Sequence, residues 1–177
     1  MSEIHLMMQK NSINMKRYHF PCGEMIFGSF EGRLCLCDWV DAKRRTIKDF
    51  RLQRMLKALY VEGTTDVIEM ARRQLNEYFQ CKRHDFDVPM LFVGSDFQKK
   101  VWNELLKIPY GLTVSYAEIA QYLGDMKCVR AVANAVSLNA ISIIVPCHRV
   151  IGSDGALKGY DGGLEKKTYL LDFEQGY

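Results

Sequence analysis

A cysteine and a histidine stand side by side in Pro146-Cys147-His148-Arg149-Val150, directly after the apolar run Ile141-Ser142-Ile143-Ile144-Val145. That run predicts a buried strand, which would set a thiol where the core ends and a pocket can begin. The attacking form of a cysteine is its thiolate, and a nearby histidine raises the thiolate fraction at neutral pH. Adjacent side chains on a regular strand point to opposite faces. Contact between Cys147 and His148 therefore needs a turn or a bridging water. From the pair alone, a catalytic dyad and a buried thiol beside a chance histidine are equally good readings.

The elements that would position this pair lie on both sides of it. Ser95-Asp96-Phe97-Gln98 has the form of a capping box, and Phe97, Val101, Leu105 and Ile108 make one apolar stripe. Pro109-Tyr110-Gly111 ends that helix. A second capping box, Ser115-Tyr116-Ala117-Glu118, opens a short helix through Leu123, and Gly124 supplies a left-handed stop. A further helix is predicted from about Asp125 to Leu138, with the stripe Val129, Val132, Ala133 and Val136. Two short helices joined through a glycine are the sequence form of a helix-turn-helix. The second is rich in alanine (Ala131, Ala133, Ala135) around one long cation, Arg130. That suits a backbone pressed into a narrow groove with one arginine projecting into the base stack. Taken by itself, a plain helical hairpin explains the alanines better, since alanine is a good helix former. Beyond the cysteine come a glycine-rich loop, Gly152 to Gly163, and a last helix, Leu164 to Glu174.

The chain of 177 residues allows one ordinary domain or two small ones, and its 48% apolar content supports a real core. A net charge of +3 neither requires nor excludes a nucleic-acid partner. Met1 to Phe20 is polar and mixed and does not read as a secretory leader. No run is long enough to span a bilayer. The six cysteines are expected to be free thiols of a cytoplasmic protein. Cys35-Leu36-Cys37 is a poor zinc or redox spacing, so neither a metal nor a cofactor is expected.

The N-terminal half reads as α/β. Met25-Ile26-Phe27 and Leu34 to Trp39 predict a hairpin turning at Glu31-Gly32. Ala42 to Lys57 is basic and reads as a solvated helix face or loop ahead of a nucleic-acid contact. Thr65 to Gln80 is helical, with Asp66 and Glu69 in the spacing of a capping box. Cys81 to Val93 is the candidate linker. The predicted architecture is a small N-terminal α/β domain with an antiparallel sheet (residues 1–93, linker included). A mostly helical C-terminal domain (94–177) would carry the helix-turn-helix and a short active-site strand.

Pro146-Cys147-His148-Arg149-Val150 resembles the active-site signature of the O6-alkylguanine-DNA alkyltransferases, the methylated-DNA–protein-cysteine methyltransferases. Val114-Ser115-Tyr116, Arg130-Ala131-Val132, Asn139, Gly159-Tyr160 and Gly162-Gly163 extend the likeness over Ser95–Glu174. The resemblance implies direct DNA repair, with single, irreversible transfer of an alkyl group from O6 of guanine to Cys147. O4 of thymine is a second candidate position. His148 would act as base through a water, and Glu174 would orient it. Asn139 would hold the turn before the active strand. Tyr116 would lie near the phosphate of the extruded nucleotide and donate to the leaving base. Arg130 would fill the gap in the stack, with Ser115, Ala131 and Ala135 also on the DNA side of a minor-groove helix-turn-helix. Tyr160, Asp161 and Val150 would wall the guanine pocket, and Arg149 would be structural. Double-stranded DNA carrying O6-alkylguanine is the implied partner of a monomer that works wherever the DNA is.

Three positions depart from the family pattern. Ala140 stands where proline is common, which loosens the hinge. Asp161 stands where a small residue or serine is usual, and Lys158, where glycine or threonine is common, would partly offset its charge. The rival readings are a lesion sensor that binds without transfer, a helix-turn-helix regulator, and a cysteine hydrolase. The presence of Cys147 counts against the first, the alanine-rich helix against the second, and the lack of any sign of an oxyanion hole against the third.

Overall fold

The computed structural model describes residues 11–176. Met1–Lys10 and Tyr177 lie outside the described residues, and so does the Met1–Lys10 part of the leader-free reading. Among the described residues no helix is long and apolar enough to cross a membrane. None of the six cysteines is in a disulfide. The chain divides into two compact units. One takes the chain to Val40 and Arg45–Gly94; the other takes Asp41–Arg44 and everything from Ser95 onward.

The first unit is a four-stranded sheet with two helices. Strands β1 (Ser12–Phe20), β2 (Gly23–Phe30) and β3 (Arg33–Trp39) form an antiparallel meander, and β4 (Leu59–Glu62) adds parallel to β1 in the order β3-β2-β1-β4. The predicted hairpin is β2–β3. Its turn residues Glu31 and Gly32 both have positive φ, 47° and 75°, as a two-residue hairpin turn requires. Gly28 is needed for a different reason, because a Cβ there would lie 2.8 Å from the Cβ of Leu36 on β3. Helix α1 spans Arg45–Leu56, and helix α2 spans Asp66–Phe79, burying Ile68, Ala71, Leu75 and Tyr78. Strands β1 and β4 were not anticipated. Both carry polar and exposed residues that break the apolar alternation of a half-buried strand.

Three expectations in this unit are corrected. The cap of α2 is Thr65, whose side chain accepts from the Ile68 N–H, while Glu69 bonds Tyr18, Thr64 and Arg72 instead of closing a box. The basic run is only partly solvated. Lys48 is fully buried and donates to Asp38 at 2.8 Å, and Arg45 reaches the same carboxylate at 3.1 Å. Residues 81–93 do not hang between domains as a linker. Val88 is buried, and the Leu34 N–H and C=O pair with Pro89 O and the Leu91 N–H at 2.8 Å each.

The second unit begins with α3 (Asp96–Leu105), where both halves of the Ser95–Gln98 capping box form. Strand β5 (Val114–Ser115) leads into α4 (Tyr116–Tyr122), whose Ser115–Glu118 box is also complete. Gly124, at φ 83°, ends α4. A single 3-10 turn (Met126–Cys128) precedes α5 (Val129–Ser137), so the second helix-turn-helix element starts later than expected. Trp102 on α3 donates from its indole Nε1 to Ala135 O at 2.9 Å. Strand β6 (Val150–Ile151) pairs parallel with β5, and α6 (Leu164–Gln175) closes the unit. The four-residue Asp41–Arg44 segment belongs here, not to the N-terminal half that 1–93 assigned it to.

Candidate active site

Ile141–Val145 is buried, as its composition requires, but it is not a strand. It folds as a turn, with Ser142 bridged to Val145, and Ile143 takes the left-handed conformation at φ 68°. A β-branched residue rarely adopts that geometry. Asn139 holds it there. Its Nδ2 donates to Ile141 O at 3.2 Å and Val145 O at 3.0 Å, and its Oδ1 accepts from the Ile141 N–H at 3.0 Å. The side chain replaces the ladder bonds a strand would have made, which local sequence patterns do not reveal.

Cys147, His148 and Arg149 form one turn of 3-10 helix instead of the end of a strand. Successive side chains on such a turn lie about 120° apart, since it has three residues per turn. Cys147 and His148 therefore do not face opposite ways, which removes the obstacle that strand geometry posed. The short strand β6 follows the cysteine instead of preceding it.

His148 is fully buried, and its Nε2 lies 2.7 Å from Glu174 Oε1. The same carboxylate accepts from Arg149 Nε at 2.8 Å, Arg149 Nη2 at 2.9 Å and the Gly111 N–H at 3.1 Å. Arg149 Nη1 goes to Ile108 O at 2.6 Å. Burial pushes the Glu174 carboxyl upward, but the hydrogen bonds from His148 and Arg149 outweigh it and hold the group well below the usual range. Burial lowers the His148 pKa, with Glu174 opposing. An ionised carboxylate can only accept, so Nε2 carries the proton and Nδ1 is the lone-pair nitrogen. Nδ1 has no hydrogen-bond partner among the described residues.

Lys167 was not singled out in the sequence. It is fully buried on α6 and donates to Val150 O and, at 2.8 Å, to Lys158 O. Burial lowers its pKa to about 8, and a thiolate at Cys147 opposes that shift. Tyr116 donates to the same Lys158 carbonyl at 3.0 Å, and its pKa is pushed up to about 12 by burial and by Cys147. A signal was available: Lys167, Leu170, Leu171 and Glu174 recur at the spacing of one helical face, and that face is the buried one.

A cavity of about 570 Å³ opens in this unit, lined by Tyr116, Arg130, Tyr160 and Asp161, all named from the sequence, together with Lys43 and Arg44. Cys147 is not on that lining and is only 6% exposed, while Tyr116 is on it and has its pKa raised in part by the charge of Cys147. Gly159 is required there, since a Cβ would meet the Tyr116 hydroxyl at 2.9 Å. Arg130 and Ala131 are exposed on α5.

Other placements need correction. Ala135 is buried and faces α3, so its side chain packs the interior instead of touching DNA. Val150 is fully buried, its carbonyl accepts from Lys167, and it is not on the lining of that cavity. The Ser115 hydroxyl is engaged in its helix cap at 3.1 Å. Lys158 pairs with Asp154 at 3.1 Å instead of offsetting Asp161. Among the described residues no group of three or more His, Cys, Asp or Glu is placed to hold a metal ion.

Residues 96–176 match the family model described as 6-O-methylguanine DNA methyltransferase, DNA binding domain. The chain is 41% identical over 155 residues to a methylated-DNA–protein-cysteine methyltransferase of Methanosarcina barkeri, covering 88% of this chain and 92% of that protein. It is 47% identical over 123 residues to the inducible methylated-DNA–protein-cysteine methyltransferase of Bacillus subtilis, covering 70% of this chain and 68% of that one. The crystal structure of Mycobacterium tuberculosis OGT in complex with DNA superposes with a TM-score of 0.79 at 35% identity, over 92% of this chain and 93% of that one.

Proposed function

The chain belongs to the methylated-DNA–protein-cysteine methyltransferase family, and from that premise we propose how its own residues carry out the repair. The protein binds DNA and reverses alkylation directly, by transfer of the alkyl group to a cysteine. We assign Cys147 as that acceptor. His148 Nδ1 takes the thiol proton through a water. The thiolate forms the S–C bond as the C–O6 bond breaks, and the electron pair stays on the guanine. Tyr116, kept protonated by its raised pKa, turns its one O–H from the Lys158 carbonyl to the leaving base, which eases its departure. Lys167, an ammonium at neutral pH, favours the thiolate over the thiol.

The observation that carries this reading is the His148 ring. Its Nε2 is committed to Glu174, and its Nδ1 is a lone acceptor one residue from Cys147 on the same turn. A thioether has no easy way back, so each molecule reacts once. The reactive carbon sits on a stacked base, so the nucleotide must leave the duplex, at a cost of about a few kcal/mol. Arg130, exposed on α5 beside the cavity, is the residue we assign to the vacated stack. The molecule works as a monomer on duplex DNA, wherever that DNA is.

The test is to incubate the protein with duplex DNA carrying O6-methylguanine and weigh the intact chain and its peptides. One methyl on Cys147, never more than one per molecule, and none in Cys147→Ser is the expected result. Lesion binding without modification would instead mark a sensor, and repeated turnover on an ester would mark a hydrolase. O4-methylthymine in the same duplex tests the second lesion.

A further inference from the structure

The Asp41–Arg44 segment is fastened to the second unit at three places. Lys166 Nζ holds both oxygens of Asp41, at 3.0 and 2.8 Å. Asp161 takes the next two residues: its carbonyl accepts the Lys43 N–H at 3.1 Å, and its carboxylate accepts the Arg44 N–H at 3.0 Å. Arg44 Nη1 then donates to Asn134 on α5 at 2.7 Å. Lys43 and Arg44 line the same cavity as Tyr116 and Tyr160, and Asp161 is the one acidic residue on that lining.

A bare carboxylate beside a DNA-binding cavity would repel phosphate. Here one of its oxygens is spent on a backbone N–H, which makes Asp161 a fastener for the neighbouring wall. Any residue at 161 would keep the bond from its carbonyl to Lys43. Only a side chain with an acceptor at that reach keeps the bond to Arg44.

We propose that Asp161 is a specificity-determining residue, setting the size of the O6 substituent this chain accepts by holding Asp41–Arg44 as a wall of the lesion cavity. The inference rests on the alkyl-transfer reading above. A methyl group needs little of the cavity, so its rate depends less on the wall than that of a larger group. A benzyl group needs the room that the held wall takes up. Asp161→Ala frees the Arg44 N–H and lets the wall move. Asp161→Asn keeps the acceptor oxygen and removes only the charge. Asp41→Ala releases the far end of the segment at an exposed side chain off the cavity lining.

Rates of Cys147 alkylation are to be measured with O6-methylguanine and O6-benzylguanine in the same duplex. Asp161→Ala is expected to raise the benzyl-to-methyl ratio about tenfold, the scale of one hydrogen bond. Asp41→Ala should shift it in the same direction, and Asp161→Asn should stay within about twofold of the wild type. An unchanged ratio in Asp161→Ala or Asp41→Ala overturns the proposal, and so does an Asp161→Asn ratio equal to that of Asp161→Ala. Failure of the wild type to take up methyl at all is a separate result and sinks the underlying reading instead.

Discussion

Glu174 serves the reaction and the fold with one carboxylate, and the two uses can be told apart. It orients His148 and neutralises Arg149, which is 5% exposed. Glu174→Gln leaves that guanidinium buried without a counter-charge, so unfolding in urea should show a loss of about 3–5 kcal/mol. The transfer rate should also fall, because a neutral amide polarises the imidazole less. The pH dependence has a definite sign. The Glu174 carboxyl is held low in the folded state, so its contribution is full above the unfolded carboxyl pKa, about 4.3, and is lost as pH falls through that value toward the folded one. The wild-type advantage over Glu174→Gln should therefore shrink below about pH 4. His148, lowered by burial, adds a separate loss in both proteins as pH drops below about 6.5, where the unfolded chain binds the proton first. Cys147 and His148 were legible in the sequence because they stand in the motif, and Glu174 was reached only through the family resemblance. Lys167 was not legible, since a lysine in a helix reads as solvent-facing until the helix's buried face is known.

Capping boxes are local devices, with cap and partner three residues apart, and both boxes of the second unit formed where the sequence put them. The turn at Ile141–Val145 was misread because an apolar run signals burial, not conformation. What decides the conformation is Asn139, whose three bonds to backbone groups within the turn are invisible to periodicity. Asn139→Ala should leave the Ile141 N–H without its partner in the interior, at about 1–3 kcal/mol, while Ile141 O keeps the Val145 N–H and Val145 O keeps the Cys147 N–H. Its clearest mark is expected in the transfer rate, measured by quenched-flow alkylation of Cys147. Duplex affinity should hold, because α4 and α5 do not depend on that side chain. Equal losses in rate and affinity would mean that the turn also supports α4 and α5.

At the scale of the molecule, the basic run from Lys43 to Lys57 shows why linear charge patterns mislead. Folding separates it. Lys43 and Arg44 go to the cavity of the second unit, while Arg45 and Lys48 go to the buried Asp38 of the first. The overall plan was legible, a sheet-bearing unit followed by a helical one with the reactive thiol, because it rests on long periodic segments. The edge strands were not, because pairing with neighbours defines them more than composition does. Function needs DNA engagement and thiol chemistry together, and Arg130→Ala should separate them. Alkylation by free O6-benzylguanine is expected to hold within about twofold, while transfer from duplex DNA should fall at least tenfold, reflecting the few kcal/mol of unstacking. Equal losses on both substrates would remove Arg130 from nucleotide extrusion. The position of Glu174 has a bearing on synthesis as well. It emerges 27 residues after Cys147, which at ordinary elongation rates is a delay of about 1–5 s. Through that interval the nascent chain carries its thiol without the carboxylate that sets the histidine. A nascent chain that has not yet exposed Glu174 is therefore expected to transfer more slowly, and full competence to arrive when the last helix docks.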